Sequence, residues 1–124
     1  MTIEQNVYDV LAAHSGLTDL VGTRIYQMAF PSGTTFPCVT YQMISEPTEQ
    51  VVTGAIVGSN PRIQLTAWAD DRDDVVKVGE QLKLAAVAMI GTFKDVTVMG
   101  GPATHHADAE LFSRSVDAIL LVAA

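Results

Sequence analysis

The sequence predicts an α+β fold: a mostly antiparallel sheet of four to six strands, two helices packed on one face, and a projecting hairpin or long loop. Three patterns support this prediction. Residues 62–69 alternate between apolar and polar side chains, as in a half-buried antiparallel strand. Residues 70–91 follow at once, with an acidic start and apolar positions at helical spacing. Residues 110–122 have a long, largely apolar strand pattern, and a single domain over residues 1–124 accounts for the whole chain.

The chain begins with the pattern of an amphipathic helix. Thr2 and Gln5 have the spacing of a capping box, in which the Thr2 hydroxyl accepts a backbone N–H and the Gln5 side chain reaches back. Apolar residues between positions 3 and 11 share one face. We expect this helix to end near Ser15–Gly16, because glycine readily takes the left-handed conformation at a helix C-terminus. Residues 17–21 predict one further short turn of helix.

Two strands and a loop are predicted next. Residues 24–28 have a short strand pattern, and residues 29–35 contain the proline, serine and glycine typical of a loop. Pro37 then begins a second strand that ends near residues 46–47. Proline is tolerated at the first strand position because it need not donate a hydrogen bond there.

Residues 48–61 predict two short β segments around a glycine turn. Their apolar residues show little alternation with polar ones, so another part of the protein or another subunit must bury these side chains. We interpret this segment as a projecting hairpin or long loop, and a loop folded inward is the alternative. The apolar residues are Val51, Val52, Ile56 and Val57.

The strand over residues 62–69 leads into the longest predicted helix. Asp70 or Asp71 is expected to cap it, because a carboxylate can accept the free N–H groups of the first turn. An apolar stripe begins at Val75 and recurs at helical spacing, and Gly91 ends the helix.

The last third of the chain is predicted to be a hairpin. Residues 93–99 have a strand pattern, Gly100–Pro102 is expected to turn the chain, and residues 110–122 form the final strand. His105 and His106 are expected to lie in a solvated loop between the two strands.

The composition indicates association with another subunit. Hydrophobic residues make up 48% of the chain and the mean hydropathy is +0.27, which is high for a domain that exposes much of its surface. We therefore expect some apolar surface to be covered by another subunit. An ordinary apolar-rich monomer is the alternative.

The charge disfavours nucleic acid and anionic membranes as tightly bound partners. Fourteen acidic residues oppose seven basic ones, which gives a net charge of −7. The basic residues are scattered, whereas tight binding to phosphates requires clustered lysine and arginine side chains.

A single cysteine, Cys38, excludes a disulfide within the chain and is expected to be a buried free thiol. No apolar stretch approaches the roughly 20 residues of a membrane span. The N-terminal residues do not resemble a secretory signal, so folding in a reducing cytoplasm is expected.

No catalytic, cofactor-binding or metal site is predicted. His105 and His106 lie close to Asp108 and Glu110, but neighbouring histidines on a strand point to opposite faces and no further ligand completes a shell. The aspartates at 70–74 lack the ligand order of a calcium loop and are explained as helix-start residues. The glycines match no phosphate-binding loop, and no nucleophile motif is present.

Five segments in this order resemble the small tail terminator, or tail completion, proteins of long-tailed bacteriophages. They are Ile3–Leu11, Leu20–Tyr26, Phe36–Gln42, Arg62–Ala69 with its helix, and Phe112–Asp117. Each segment is a structural pattern, and the likeness therefore rests on their order and spacing over nearly the whole chain.

The resemblance implies a homo-oligomeric ring, usually a hexamer, at the head-proximal end of the tail tube in the virion. The ring ends polymerisation of the tail tube protein, offers a surface to the head–tail connector or stopper protein, and lets DNA pass without specific binding. Assembly in the host cytoplasm, no catalytic activity, no cofactor and no membrane are implied as well.

Candidate partner contacts are the predicted hairpin, the loop around Phe30 and Phe36, and the exposed face near Trp68. Interface energy usually concentrates in a few apolar or aromatic side chains, which these segments supply. The residues are Val51, Val52, Ile56, Val57, Phe30, Phe36 and Trp68.

Two other functions fit the same composition. A neck or head-completion ring protein would also be small, acidic and rich in apolar surface. A dimeric α+β ligand-binding module or small enzyme would require a deep pocket with convergent polar groups.

Overall fold

The computed structural model describes residues 2–50, 56–93 and 95–123, and in them the α+β prediction is confirmed. The helices are α1 (Ile3–Ala13), α2 (Ser15–Val21) and α3 (Arg72–Ala88), and a 3-10 turn follows at Met89–Gly91. The strands are β1 (Ile25–Gln27), β2 (Cys38–Ser45), β3 (Thr48–Gln50), β4 (Ile56–Ser59), β5 (Arg62–Ala69), β6 (Asp95–His106) and β7 (Leu111–Ala123).

The N-terminal part forms two short helices where one helix and a turn were expected. The Thr2 hydroxyl accepts the Gln5 backbone N–H at 3.1 Å, as predicted, but the Gln5 side chain donates to Asp9 and does not reach back. His14 breaks the helix with extended dihedral angles (φ −84°, ψ 102°). Gly16 therefore lies inside α2, and Gly22, at φ 60°, is the glycine that ends it.

The sheet runs in the order β1–β2–β5–β7, and β6 pairs with the opposite edge of β7. The pairing of β1 with β2 is parallel and the other pairings are antiparallel. Helix α3 packs against β5, β6 and β7, and α1 and α2 pack against α3. We call the opposite, uncovered side of the sheet the open face.

Strands β3 and β4 of the predicted hairpin form the outer end of a longer hairpin that includes β2 and β5. Ser45 pairs with Arg62 and Thr48 pairs with Ser59, so the register of β2 with β5 continues into β3 and β4 across a short break. The Asn60 N–H donates to the Pro47 carbonyl at 2.9 Å within that break. We call residues 46–50 and 56–61 the arm; they extend the sheet, which contradicts the inward-folded loop as far as these residues are described.

Strand β6 corrects the predicted end of the chain. Gly100–Pro102 does not turn the chain but lies within β6, where the register with β7 shifts between Gly100 and Ala103. The turn comes at residues 107–110. The physical reason is that a bulge on an edge strand accommodates proline, which has no N–H to donate. His105 and His106 therefore end a strand and are not in a loop.

The core lies between the helices and the facing side of the sheet. Strand β5 buries the apolar residues of its alternating pattern against the helices, as predicted. Helix α3 buries the apolar residues that begin at Val75 and recur at helical spacing. The Asp71 carboxylate caps α3 by accepting the Asp73 N–H at 2.8 Å. The largest fully buried side chains are Leu11, Leu17, Ile63, Leu65, Leu82, Met89 and Leu120.

The largely buried side chain of Arg114, which is 12% exposed, links α3 to the bulge in β6. The Arg114 side chain donates to the Gly101 carbonyl at 3.0 Å, to the Val76 carbonyl at 3.3 Å and to the Glu80 carboxylate at 2.9 Å. It crosses α3 at Gly79, where an added Cβ would lie 2.6 Å from Arg114 Cδ. Glycine is therefore required at this helical position despite its low helix propensity.

Replacing Arg114 with methionine should lower the free energy of unfolding by about 2 kcal/mol, because it removes a charged hydrogen bond to the Gly101 carbonyl. Urea denaturation would measure this change. Arg72→Met, at an exposed position, is the control and should change stability by less than about 0.5 kcal/mol. Equal effects of the two substitutions would contradict the role given to Arg114.

The Arg114 guanidinium, followed by the Lys83 ammonium, lowers the pKa of Glu80 from its ordinary value of 4.5. The resulting stabilisation is therefore present above pH 4.5 and is lost as the pH falls through the lower pKa of the folded state. Because the carboxylate is exposed, water screens this ion pair and its contribution to stability is small.

Candidate functional site

The open face carries an aromatic cluster that unites three of the predicted contact residues. The loop before β2 brings Phe30 and Phe36 together with their ring centroids 5.4 Å apart, edge to face. Phe30 also meets Trp68 of β5 at 5.4 Å. All three side chains are half-buried. The predicted loop and the predicted strand face thus form one surface, which we call the aromatic cluster.

His106 completes the aromatic cluster and was not predicted as part of it. Its ring lies 5.3 Å from that of Trp68, and its Nε2 is 2.6 Å from the Ser113 hydroxyl. The Trp68 indole N–H donates to the Thr40 hydroxyl at 3.0 Å. His106 can be assigned to the aromatic cluster only when the register of β6 with β7 is known. The prediction of a turn at Gly100–Pro102 concealed that register.

The contact between His106 and Ser113 is a hydrogen bond within the packed cluster. A base beside a hydroxyl can activate a nucleophile. Ser113, however, is only 7% exposed and lies on the same face as the ring of Trp68, its neighbour across the sheet. A hydroxyl this buried is poorly accessible to a substrate. The geometry supports packing, and it does not support catalysis.

Cys38 lies opposite Trp68 on the open face and is fully buried, as predicted. Burial raises the pKa of its thiol from 9.0 to about 11, and the positive charge of Arg24 opposes this shift only in part. A thiol that stays protonated at neutral pH is a poor nucleophile. Cys38 is therefore a packing residue of the aromatic cluster.

The buried thiol predicts a loss of stability in alkali. The folded state holds the Cys38 proton between pH 9 and about 11 while the unfolded state releases it, so stability is full below pH 9 and falls through this window. A shift of this size corresponds to about 3 kcal/mol. Burial also raises the pKa of Tyr41, and part of the alkaline loss therefore comes from that residue.

Denaturation at several pH values would test this prediction in the wild type and in Cys38→Ala. The wild type should lose about 3 kcal/mol more than the variant between pH 9 and 11. Parallel curves would contradict it, because they would show that the thiol titrates equally in the folded and unfolded states.

The arm and the aromatic cluster lie at opposite ends of the sheet. Trp68 is the penultimate residue of β5, whereas the arm continues from Arg62, the first residue of β5, about 20 Å away at the usual rise per residue. Val51 and Val52 lie outside the described residues. Ile56 and Val57 belong to β4, and their side chains are also outside the description. Among the described residues, the structure therefore separates the backbone of Ile56 and Val57 from the aromatic cluster.

The open face between these two ends is polar. Gln42 donates to Gln64 across β2 and β5 at 3.2 Å, and Arg62 forms an ion pair with Asp117. Asp117 Oδ1 is buried and has no hydrogen-bond partner among the described residues. The rim of a protein interface is polar and accessible to solvent, and this part of the open face has the same polar character.

Several large apolar side chains are exposed on other parts of the surface. Leu84 and Val87 lie near the C-terminal end of α3 and Ile90 lies in the 3-10 turn that follows it, and we call these three residues the α3 stripe. Their exposed fractions are 56%, 56% and 60%. The described part of the chain also exposes Met28, Ile44 and Met99.

A concave groove lies between α2 and α3. Its volume is about 480 Å³, and it is wide open to solvent. Its charged side chains lie at the surface and do not converge, as those of a ligand pocket do. The lining residues are Gly16, Asp19, Leu20, Val76, Lys77, Glu80 and Gln81.

Metal binding and membrane insertion find no support in the described ranges. Residues 2–50, 56–93 and 95–123 contain no group of three or more histidine, cysteine or acidic side chains arranged to hold a metal ion. Within the same ranges no helix combines the length and the apolar character that crossing a membrane requires.

Comparison with known proteins adds a family and a related fold. Residues 5–119 match the family described as Tail completion protein gp17. A chain from the solved virion of a native gene transfer agent particle is 20% identical and superimposes with a TM-score of 0.59, covering 98% of this chain and 95% of that one. No curated protein is significantly similar in sequence. At this identity the structural likeness establishes the fold alone.

Proposed function

Because the chain belongs to the Tail completion protein gp17 family, it is a structural component of the phage tail, and we propose that it forms a ring on the head-proximal end of the tail tube. In this proposal the ring has six protomers, stops the addition of tail tube protein, and presents the surface to which the head–tail connector joins.

One observation carries the proposal: apolar surface remains uncovered in a protein of this family. The α3 stripe exposes more than half of each of its three large side chains. The arm extends the sheet beyond the packed core. Exposed apolar patches mark surfaces that other subunits cover. The gene transfer agent chain with the same fold is likewise part of a particle.

The proposed mechanism is geometric. A tube grows because each ring exposes a surface that accepts the next ring. A ring that matches the last tube ring on one side, and offers a different surface on the other, ends this growth. Closed rotational symmetry satisfies the lateral contacts, because one heterologous contact repeats around the axis until the ring closes.

The negative charge suits the passage of DNA through the ring. A lumen lined by carboxylates would repel phosphates and let DNA slide, whereas a basic lumen would retain it. The net charge of −7 supplies these groups. Reversing the charge of lumen-facing acids should slow DNA passage; unaffected ejection would count against an acidic lumen.

Size measurement, followed by mixing with tail tubes, tests the proposed function. The purified protein should form a closed ring alone or on the tubes, and capped tubes should stop growing in the presence of excess tube protein. Electron microscopy of headless tails should place it at the tube end. A protein found only on heads would instead be a neck or head-completion ring, and a protein that stays monomeric with tubes would refute the proposal.

A further inference from the structure

We draw no further inference here: the strongest candidate, the outer edge of β6 over residues 95–100, which pairs with β7 on its other side and carries the exposed side chain of Met99, supports none because nothing in the described part of the structure shows which strand or surface covers it.

Discussion

Replacing both Val52 and Ile56 with aspartate is expected to abolish ring formation and joining to tail tubes while the protomer stays folded. Each substitution places a charge where the hairpin is proposed to bury an apolar side chain against another subunit. Loss of two strong interface residues should cost about 4 kcal/mol, or roughly a thousandfold in association. Sedimentation of the purified variant, alone and with tubes, would measure the loss.

The matched control introduces two aspartates elsewhere on the surface. Ser15 and Thr23 are exposed and lie outside the arm, the aromatic cluster and the α3 stripe. Ser15→Asp with Thr23→Asp should assemble as the wild type does, which would show that added negative charge alone does not block the ring. Normal assembly of the Val52 and Ile56 variant would refute the assignment of the hairpin to an interface.

Replacing Trp68 with alanine is expected to lower the free energy of unfolding by about 3 kcal/mol. The substitution removes ring contacts with Phe30 and His106 and leaves the Thr40 hydroxyl without its indole donor. The cost for a half-buried tryptophan lies at the lower end of the range for large aromatic truncations. Urea denaturation of the isolated protomer would measure it.

The Trp68→Phe variant separates packing from partner binding. It keeps an aromatic ring against Phe30 and loses only the hydrogen bond, so the loss of stability should be about 1 kcal/mol. Reduced association with tubes at this nearly normal stability would support Trp68 as a contact residue. Unchanged stability in Trp68→Ala would contradict the packing seen in the aromatic cluster.

Local patterns predicted most of the elements because each is set by nearby residues. The alternation of apolar and polar residues in Arg62–Ala69 predicted β5 and its buried face. The aspartates before α3 predicted the helix cap found at Asp71. Prediction from local patterns failed where the same residue types are typical of two different backbone structures. Gly100–Pro102 favours a turn by composition, yet an edge strand accepts the same residues as a bulge.

The proposed contact residues were predictable as a list but not as a site. Aromatic and apolar side chains in loops and on exposed strand faces suggest interfaces from the sequence alone. Their grouping depends on strand register. Only the pairing of β5 with β7, and of β7 with β6, brings His106 over Trp68 and places the arm at the other end of the sheet.

The sequence by itself determined the α+β class, the strand and helix faces, and the absence of any recognisable catalytic motif. These follow from the spacing of apolar residues and from the chemistry of single side chains. The tertiary structure alone decided that β3 and β4 extend β2 and β5, that Arg114 crosses α3 at Gly79, and that the α3 stripe stays exposed. The physical reason is that hydrogen-bond register and helix packing join residues far apart in the chain, and no local pattern encodes which of them meet.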